Sequence, residues 1–324
     1  MWCIGRCFGC GQSRFEIEKR KFRPLRILGE GGFSIVYLVM EQGDRRKRFA
    51  LKKMVCHSKR EVDRARLEID LHQRLAIHPN VLDLEAYHIG PSADNSAMLY
   101  QSGTGLVEAT EVYIVLPYCR KGTLQEELDK RRERSDFVPE DRVIRLFHGI
   151  CDGLRAFHNL LPEPYVHRDL KAANVLLSED DTPLLMDFGS AALARRQVIT
   201  TVEAQAAQDD ASELCSMPYR PPEFFNVEAG ASFDERTDIW SLGCLLYALC
   251  FFASPYDAVH QRGDSIALAV ISGKVDIPSD SPYSTALHQL MLKLLKVNLD
   301  QRPFIEEVIS EVERLYNKSS SGLA

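Results

Sequence analysis

His167-Arg168-Asp169-Leu170-Lys171-Ala172-Ala173-Asn174, followed a little further on by Asp187-Phe188-Gly189, is the stretch on which this chain of 324 residues turns. It sets two carboxylates, an amide and an ammonium group in a definite order. Asp169 stands where it can orient a hydroxyl, and Lys171 can neutralise negative charge that builds nearby. Asn174 and Asp187 offer the sparse oxygen ligation that magnesium prefers, completed by anion oxygens and water. Each acid alone reads as an N-cap or a turn residue. The two segments together, in order and close in sequence, make chance a poor account.

Outward from this stretch the composition is that of a globular chain. Hydrophobic residues make up 45% and the formal net charge is -6, enough for one large domain or for two lobes. The mildly acidic balance gives no reason to expect nucleic acid as a partner. Nine cysteines, odd in number and mostly dispersed, argue against a disulfide framework and for a reducing compartment. The longest apolar run, 242–253, falls short of the roughly 20 residues a spanning helix needs. The start lacks the continuous apolar core of a secretory signal. The expected location is the cytoplasm.

Residues 22–116 read as strands with one helix. Leu25-Arg26-Ile27-Leu28 runs into glycines, Val36-Tyr37-Leu38-Val39 resumes, and Gly43-Asp44 turns the chain. Phe49-Ala50-Leu51-Lys52 begins the next strand and Val112-Tyr113-Ile114-Val115-Leu116 closes the sheet. Within this half, 61–75 places Ala65, Ile69 and Leu75 among charges and predicts a helix. The small polar residues of 90–111 predict an inserted loop. Residues 117–122 are the expected link, after which helical patterns cover 124–134, 139–160, 238–252, 265–271, 284–295 and 304–316. Tails are expected over 1–21 and 318–324, around a domain over 22–317 with lobes at 22–116 and 117–317. A small strand-rich half before a larger helical one is an α+β arrangement in two lobes.

Gly29-Glu30-Gly31-Gly32-Phe33-Ser34-Ile35-Val36 lies between two strand patterns. Its glycines let the backbone approach phosphates, and Phe33 can shield them from water. Taken by itself, such a turn is more often a plain hairpin.

These segments in this order resemble the protein kinases, from about residue 22 to 316. The resemblance implies ATP and Mg2+ as cofactors and protein Ser or Thr hydroxyls as acceptors. Asp169 becomes the catalytic base or orienting group and Lys171 the neutraliser of the γ-phosphoryl group. Asn174 and Asp187 become the metal ligands. Lys52 is placed on the α- and β-phosphates, with Glu68 as its ion-pair partner. Glu61 competes for that role, its other reading being a solvated helix charge. His72, one turn on from Glu68, stands where kinases carry an aliphatic residue and is expected to pack on Phe188. Val36, Ala50 and Leu176 are expected around adenine, with Leu116 at the back of the pocket and backbone contacts near Cys119. Ser34 replaces a third glycine of the loop. Ser216 matches the hydroxyl that meets the catalytic Asp and Lys in Ser/Thr-specific kinases. Pro221-Pro222-Glu223 stands for Ala-Pro-Glu, with Arg302 as the buried partner of Glu223, and Asp238 is expected to anchor the catalytic loop.

Several segments are more particular. Tyr165-Val166-His167-Arg168-Asp169-Leu170-Lys171, Leu185-Met186-Asp187-Phe188-Gly189-Ser190, Asp234-Glu235-Arg236-Thr237-Asp238 and Gly263-Asp264-Ser265-Ile266-Ala267-Leu268-Ala269-Val270 resemble the serine/threonine kinase 16 family of the Numb-associated kinase group. That resemblance implies a helix in the activation segment, and 202–214 is helix-favouring. It also implies an acylated protein at the Golgi or, in fungi, the vacuole, with a link to trafficking. Trp2 stands where myristoylation needs glycine, so Cys3, Cys7 and Cys10 are the palmitoylation candidates, with Trp2, Ile4 and Phe8 able to enter a membrane surface. Spare thiols in a disordered tail, or an adventitious metal site, are the alternatives. A nucleotide-binding scaffold and a small-molecule kinase are the competing functions.

Overall fold

The computed structural model describes residues 14–31, 34–44, 46–92, 99–101, 105–107 and 109–321 of the chain. Two compact units divide it. One runs to Ala76 and takes in Leu82–Tyr118; the other comprises Ile77–Val81 and the chain from Cys119 onward.

The first unit is built on strands β1 Phe15–Ile17, β2 Arg20–Glu30, β3 Ser34–Glu41, β4 Arg48–Cys56 and β5 Ala86–Pro91. A short hairpin, β6 Leu99–Gln101 with β7 Gly105–Val107, precedes β8 Thr110–Pro117. The main sheet is antiparallel throughout, in the order β1-β2-β3-β4-β8-β5. Side chains alternate across a strand, and that alternation separates two jobs on β4. Phe49 and Leu51 pack on one face with Ile17, Phe22, Val39, Ala86 and Val115, while Ala50 and Lys52 belong to the other. Helix α1, Lys59–Arg74, is capped by the Ser58 side chain accepting from Glu61 N, and buries Ala65, Glu68, Ile69, Leu71 and His72 along one stripe.

Two expectations about the ends of this unit change. Phe15–Ile17 pairs with the start of β2 and Ile17 is buried, so folding begins inside the stretch expected to be a tail. A three-residue strand is too short to announce itself by alternation. The inserted loop over 90–111 likewise carries the β6/β7 hairpin.

The second unit is mainly helical: α2 Leu124–Glu133, α3 Glu140–His158, α4 Thr201–Leu214, α5 Arg236–Phe251, α6 Asp257–Gln261, α7 Ile266–Ile271, α8 Thr285–Leu294 and α9 Ile305–Ser321. Helix α9 thus continues past the expected end of the domain at 317. Helix α5 is apolar almost throughout and buried without a break from Thr237 to Leu246, so it forms the core of the unit. Gly243 allows its approach to α8, because a Cβ there would come 2.9 Å from Leu294 Cβ. Short antiparallel pairs frame the loops: β9 Tyr165–Val166 with β12 Ala192–Leu193, β10 Val175–Leu177 with β11 Pro183–Leu185, and β13 Arg196–Gln197 with β14 Ser232–Phe233. Strands β9 and β10 bracket residues 167–174, and β11 leads directly into Asp187. These strand-rich and helix-rich units are the α+β, bilobal arrangement expected from the sequence.

Candidate active site

In the first unit, Lys52 Nζ lies 2.7 Å from Glu68 Oε1, and the Glu68 side chain is only 2% exposed. The sheet presents Lys52 on the face of β4 opposite the Phe49 and Leu51 core, and mid-helix Glu68 meets it there. Glu61 does something else: its Oε2 accepts from His57 N at 2.6 Å, a backbone cap at the start of α1. His72 is buried, with Nδ1 2.9 Å from Leu82 O. In the glycine turn, Gly31 N donates to Ser34 O at 2.8 Å, and Ser34 opens β3. Gly29 and Glu30 close β2 in register with Val36 and Ile35. Ala50 pairs with Leu116 across β4 and β8. Gly32 and Phe33 lie outside the described residues.

In the second unit the loop 167–174 is organised from beneath by Asp238, fully buried in the first turn of α5. Its Oδ2 accepts from His167 N at 2.7 Å and its Oδ1 from Arg168 N at 2.8 Å. His158 Nε2 lies 3.1 Å from the same Oδ2. Arg168 has φ of 69°, a left-handed conformation that costs a non-glycine residue about 1–2 kcal/mol. Two charge-assisted bonds from one carboxylate offset that strain.

The loop so held presents Asp169 to several donors. Lys171 Nζ and Asn174 Nδ2 reach its Oδ2 at 2.8 and 2.9 Å, and Ser216 N reaches Oδ1 at 3.1 Å. Lys171 Nζ also donates to Ser216 Oγ at 2.7 Å. The Ser216 hydroxyl therefore meets the lysine, and its backbone amide meets the aspartate. Asn174 Nδ2 donates as well to Asp169 O at 2.9 Å, which orients the amide and leaves its oxygen as acceptor. Asp187 sits at φ 64° and ψ 77°. The next residue, Phe188, is buried edge-on to Phe157 with ring centroids 4.9 Å apart. His167 Nε2 lies 3.2 Å from Met186 O, and Met186 N donates to Asn174 O at 3.1 Å, so both chemical segments share one hydrogen-bonded frame.

Glu223 and Arg302 form a bidentate pair at 2.9 and 2.6 Å. Arg302 also donates to the carbonyls of Lys296, Arg236 and Val297, so its buried charge is fully hydrogen-bonded. Leu176 is half-buried on β10, bridged to Thr123. Cys119 is half-buried, and burial pushes its thiol above the ordinary value. Sequence reasoning passed over His158, whose role depends on its contact with Asp238. It also passed over Asn80, whose amide donates to Pro183 O at 3.0 Å. The His78-Pro79 pair just before Asn80 was the available signal that the chain turns there.

The protein kinase domain family matches residues 22–312, and this chain belongs to that family. Within it, the chain is a serine/threonine protein kinase acting on protein substrates, similar to Serine/threonine-protein kinase 16 of Rattus norvegicus and of Homo sapiens. Each is 39% identical over 306 residues, covering 94% of this chain and 94% of the relative. Serine/threonine-protein kinase ppk13 of Schizosaccharomyces pombe is 31% identical over 333 residues, covering 93% of this chain and 92% of the relative.

Proposed function

We propose that this kinase transfers the γ-phosphoryl group of ATP with Asp169 orienting and then accepting the proton of the substrate hydroxyl. Lys171 offsets the charge that grows on the phosphoryl oxygens, and Lys52, steadied by Glu68, binds the α- and β-phosphates. Gly29, Gly31 and Gly32, with Glu30, Phe33 and Ser34, cover the phosphates, while Val36, Ala50, Leu116, Cys119 and Leu176 accept the adenine. The observation that carries this reading is the Asp169 carboxylate held by Lys171, Asn174 and Ser216 N, with Lys171 also on Ser216 Oγ. It prepares one acid and one cation for a hydroxyl nucleophile before any substrate arrives.

Asn174 and Asp187 fit Mg2+. The Asn174 amide nitrogen is occupied by Asp169, so its oxygen remains for a hard cation, and the donor set is all oxygen. Magnesium, when bound, neutralises the phosphates' charge. The test is phosphate incorporation into a Ser/Thr peptide library by wild type and by Asp187→Ala, with nucleotide binding measured separately. We expect incorporation to fall by a factor of at least about 10²; equal rates overturn the assignment.

The segment preceding β1 is the proposed membrane anchor. Cys3, Cys7 and Cys10, which lie outside the described residues, are the acyl acceptors, and more than one acyl chain gives stable attachment. Together with the similarity to Serine/threonine-protein kinase 16, this supports a kinase on Golgi or vacuolar membranes, linked to trafficking. Fractionation of eukaryotic cells with thioesters preserved tests it. Membrane recovery lost in the Cys3, Cys7 and Cys10 to Ser triple variant is expected; a wholly soluble wild type overturns it.

A further inference from the structure

From Arg14 to the end of β4 the chain carries twelve Lys or Arg against five Asp or Glu, although the formal net charge of the whole is -6. Strand register gathers many of these cations in one place. Arg23 of β2 pairs with Met40 of β3, and Met40 with Arg48 of β4. Cross-strand partners share a face, so Arg23 and Arg48 lie on the same face, two strands or about 10 Å apart. Lys21 belongs to that face by alternation. Its carbonyl accepts from Gln42 N at 2.7 Å, which sets it beside the β3–β4 turn that carries Arg46 and Lys47. Phe15 pairs with Phe22, and the same antiparallel register brings Arg14 alongside Arg23. All six of these side chains are exposed.

The acids nearby are engaged with other groups. Glu41 holds Arg20 at 2.7 Å, Glu18 accepts from Tyr87 N at 3.4 Å, and Asp44 accepts from Arg46 N at 3.0 Å. Glu16 comes 3.9 Å from Lys21 Nζ, with both side chains more than half exposed. Among the described residues, no carboxylate forms an ion pair with Arg14, Arg23, Arg46, Lys47 or Arg48. Exposed cations of the second unit differ: Arg132, Arg145, Arg262 and Lys274 are each paired with an acid. A charge run along one segment is ordinarily a solvated face. This group is instead spread over three strands and a turn, so it presents a surface. Residues 1–13, with Trp2, Ile4, Phe8 and three cysteines, run directly into it at Arg14.

We propose that this surface binds the anionic phospholipid headgroups of a bilayer and so holds the first unit against a membrane. The proposal rests on the membrane attachment proposed above for its setting, but its chemistry is independent of the acyl groups. Anionic headgroups offer dense negative charge in a plane, and cations without acid partners give up no ion pair to meet it. Each Lys or Arg that reaches such a surface strengthens binding about fivefold, provided it comes within a Debye length of about 8 Å. Thirteen residues span at most about 45 Å, so an anchor in that segment keeps the basic surface close to the bilayer. One acyl chain alone holds weakly, and a polybasic surface supplies the second signal. The two together also fix which side of the unit faces the lipid, which a tether alone does not.

The test uses the full chain from a bacterial host, which attaches no palmitoyl groups to these cysteines. It is sedimented with vesicles of phosphatidylcholine alone or with about a third phosphatidylserine. Binding to the anionic vesicles is expected at about 0.1 M salt, at least about tenfold weaker at 0.5 M, and absent with the neutral ones. The combined variant Arg23→Gln, Arg46→Gln, Lys47→Gln, Arg48→Gln is expected to lose at least about tenfold in partitioning. It should phosphorylate a soluble peptide as wild type does, which shows that it folds. Changing Arg132, Arg145, Arg262 and Lys274 to Gln alters the net charge equally and is expected to leave binding nearly unchanged. Wild type that ignores anionic vesicles, or equal losses in the two variants, overturns the proposal. So does release from the vesicles by RNA at matched charge, which assigns the surface to nucleic acid. If vesicles are not bound while cysteine-dependent membrane recovery persists in cells, this surface is wrong and the acyl anchor stands. The reverse pair of results keeps the surface and removes the anchor.

Discussion

Asp238 makes the chemistry of Asp169 possible without touching a reacting atom. One buried carboxylate accepts from two consecutive amides and a histidine, and only a group with several lone pairs can do so. Asp238→Asn keeps the shape but replaces one acceptor oxygen with a donor that faces a backbone N–H. We expect kcat to fall by about 10² from misplacement of the loop, with KM for ATP changed much less; steady-state kinetics separates the two. Glu68→Gln keeps a hydrogen bond to Lys52 and removes the charge that holds the ammonium, and a loss of about tenfold or more in kcat/KM is expected. Unchanged kinetics in either variant would remove that residue from the machinery. At this scale Glu68 was legible because it lies mid-helix on an inward stripe. Glu61, three residues past the Ser58 N-cap, is drawn instead to the backbone.

Helix α4 holds the segment between Asp187 and Glu223 in place. Thr200 accepts from Glu203 N while Glu203 accepts from Thr200 N, a reciprocal cap. The face turned inward is small: Ala204, Ala207 and Ala211 pack with Val198, Cys215, Phe224, Val227 and Phe233. At the far end Ser190 donates to Leu214 O at 2.9 Å. Three alanines bury little apolar area, so the cap carries an appreciable share of the stability. Thr200→Ala should cost about 1 kcal/mol, seen as faster amide hydrogen exchange over 201–214 while α5 is unaffected. Because these contacts need no phosphate, phosphatase-treated enzyme is expected to retain most of its activity; loss of most of it would show that the helix alone does not order the segment. The helix was legible from the run of good helix formers at 202–214. The β13 and β14 pair beside it was not, because two-residue strands have no period to detect.

Across the second unit, charge pairing ties separate elements together. Arg142 of α3 bonds Glu127 of α2 and Asp181 of the turn between β10 and β11, with Nη2 to Glu127 at 2.8 Å and Nε to Asp181 at 2.8 Å. Hydrogen bonds from Arg142 hold both carboxylates below their ordinary values. A depressed native value means the unfolded chain binds the proton more readily. The contribution is therefore complete above the unfolded values near pH 4 and is lost as pH falls through the lower native ones. The thermal midpoint should drop as pH is lowered from about 5 to 3, more steeply in wild type than in Arg142→Leu. At neutral pH that variant should be less stable by about 1–3 kcal/mol, the range between exposed and buried pairs. Parallel pH curves for the two proteins would assign acid sensitivity elsewhere.

Residues 167–174, Asp187, Lys52 and the apolar periods of α1, α3 and α5 were readable in one dimension. Loop chemistry depends on residue type and spacing, and a buried stripe repeats at the helical period. Tertiary structure alone decided which partner each polar group took. His158 joins the loop amides on Asp238, and the Ser216 amide rather than its hydroxyl meets Asp169. Phe15–Ile17 joins the sheet, and strand register sets Arg23 in line with Arg48. Those outcomes depend on which groups lose water together, and residues far apart in sequence settle that only when the chain packs.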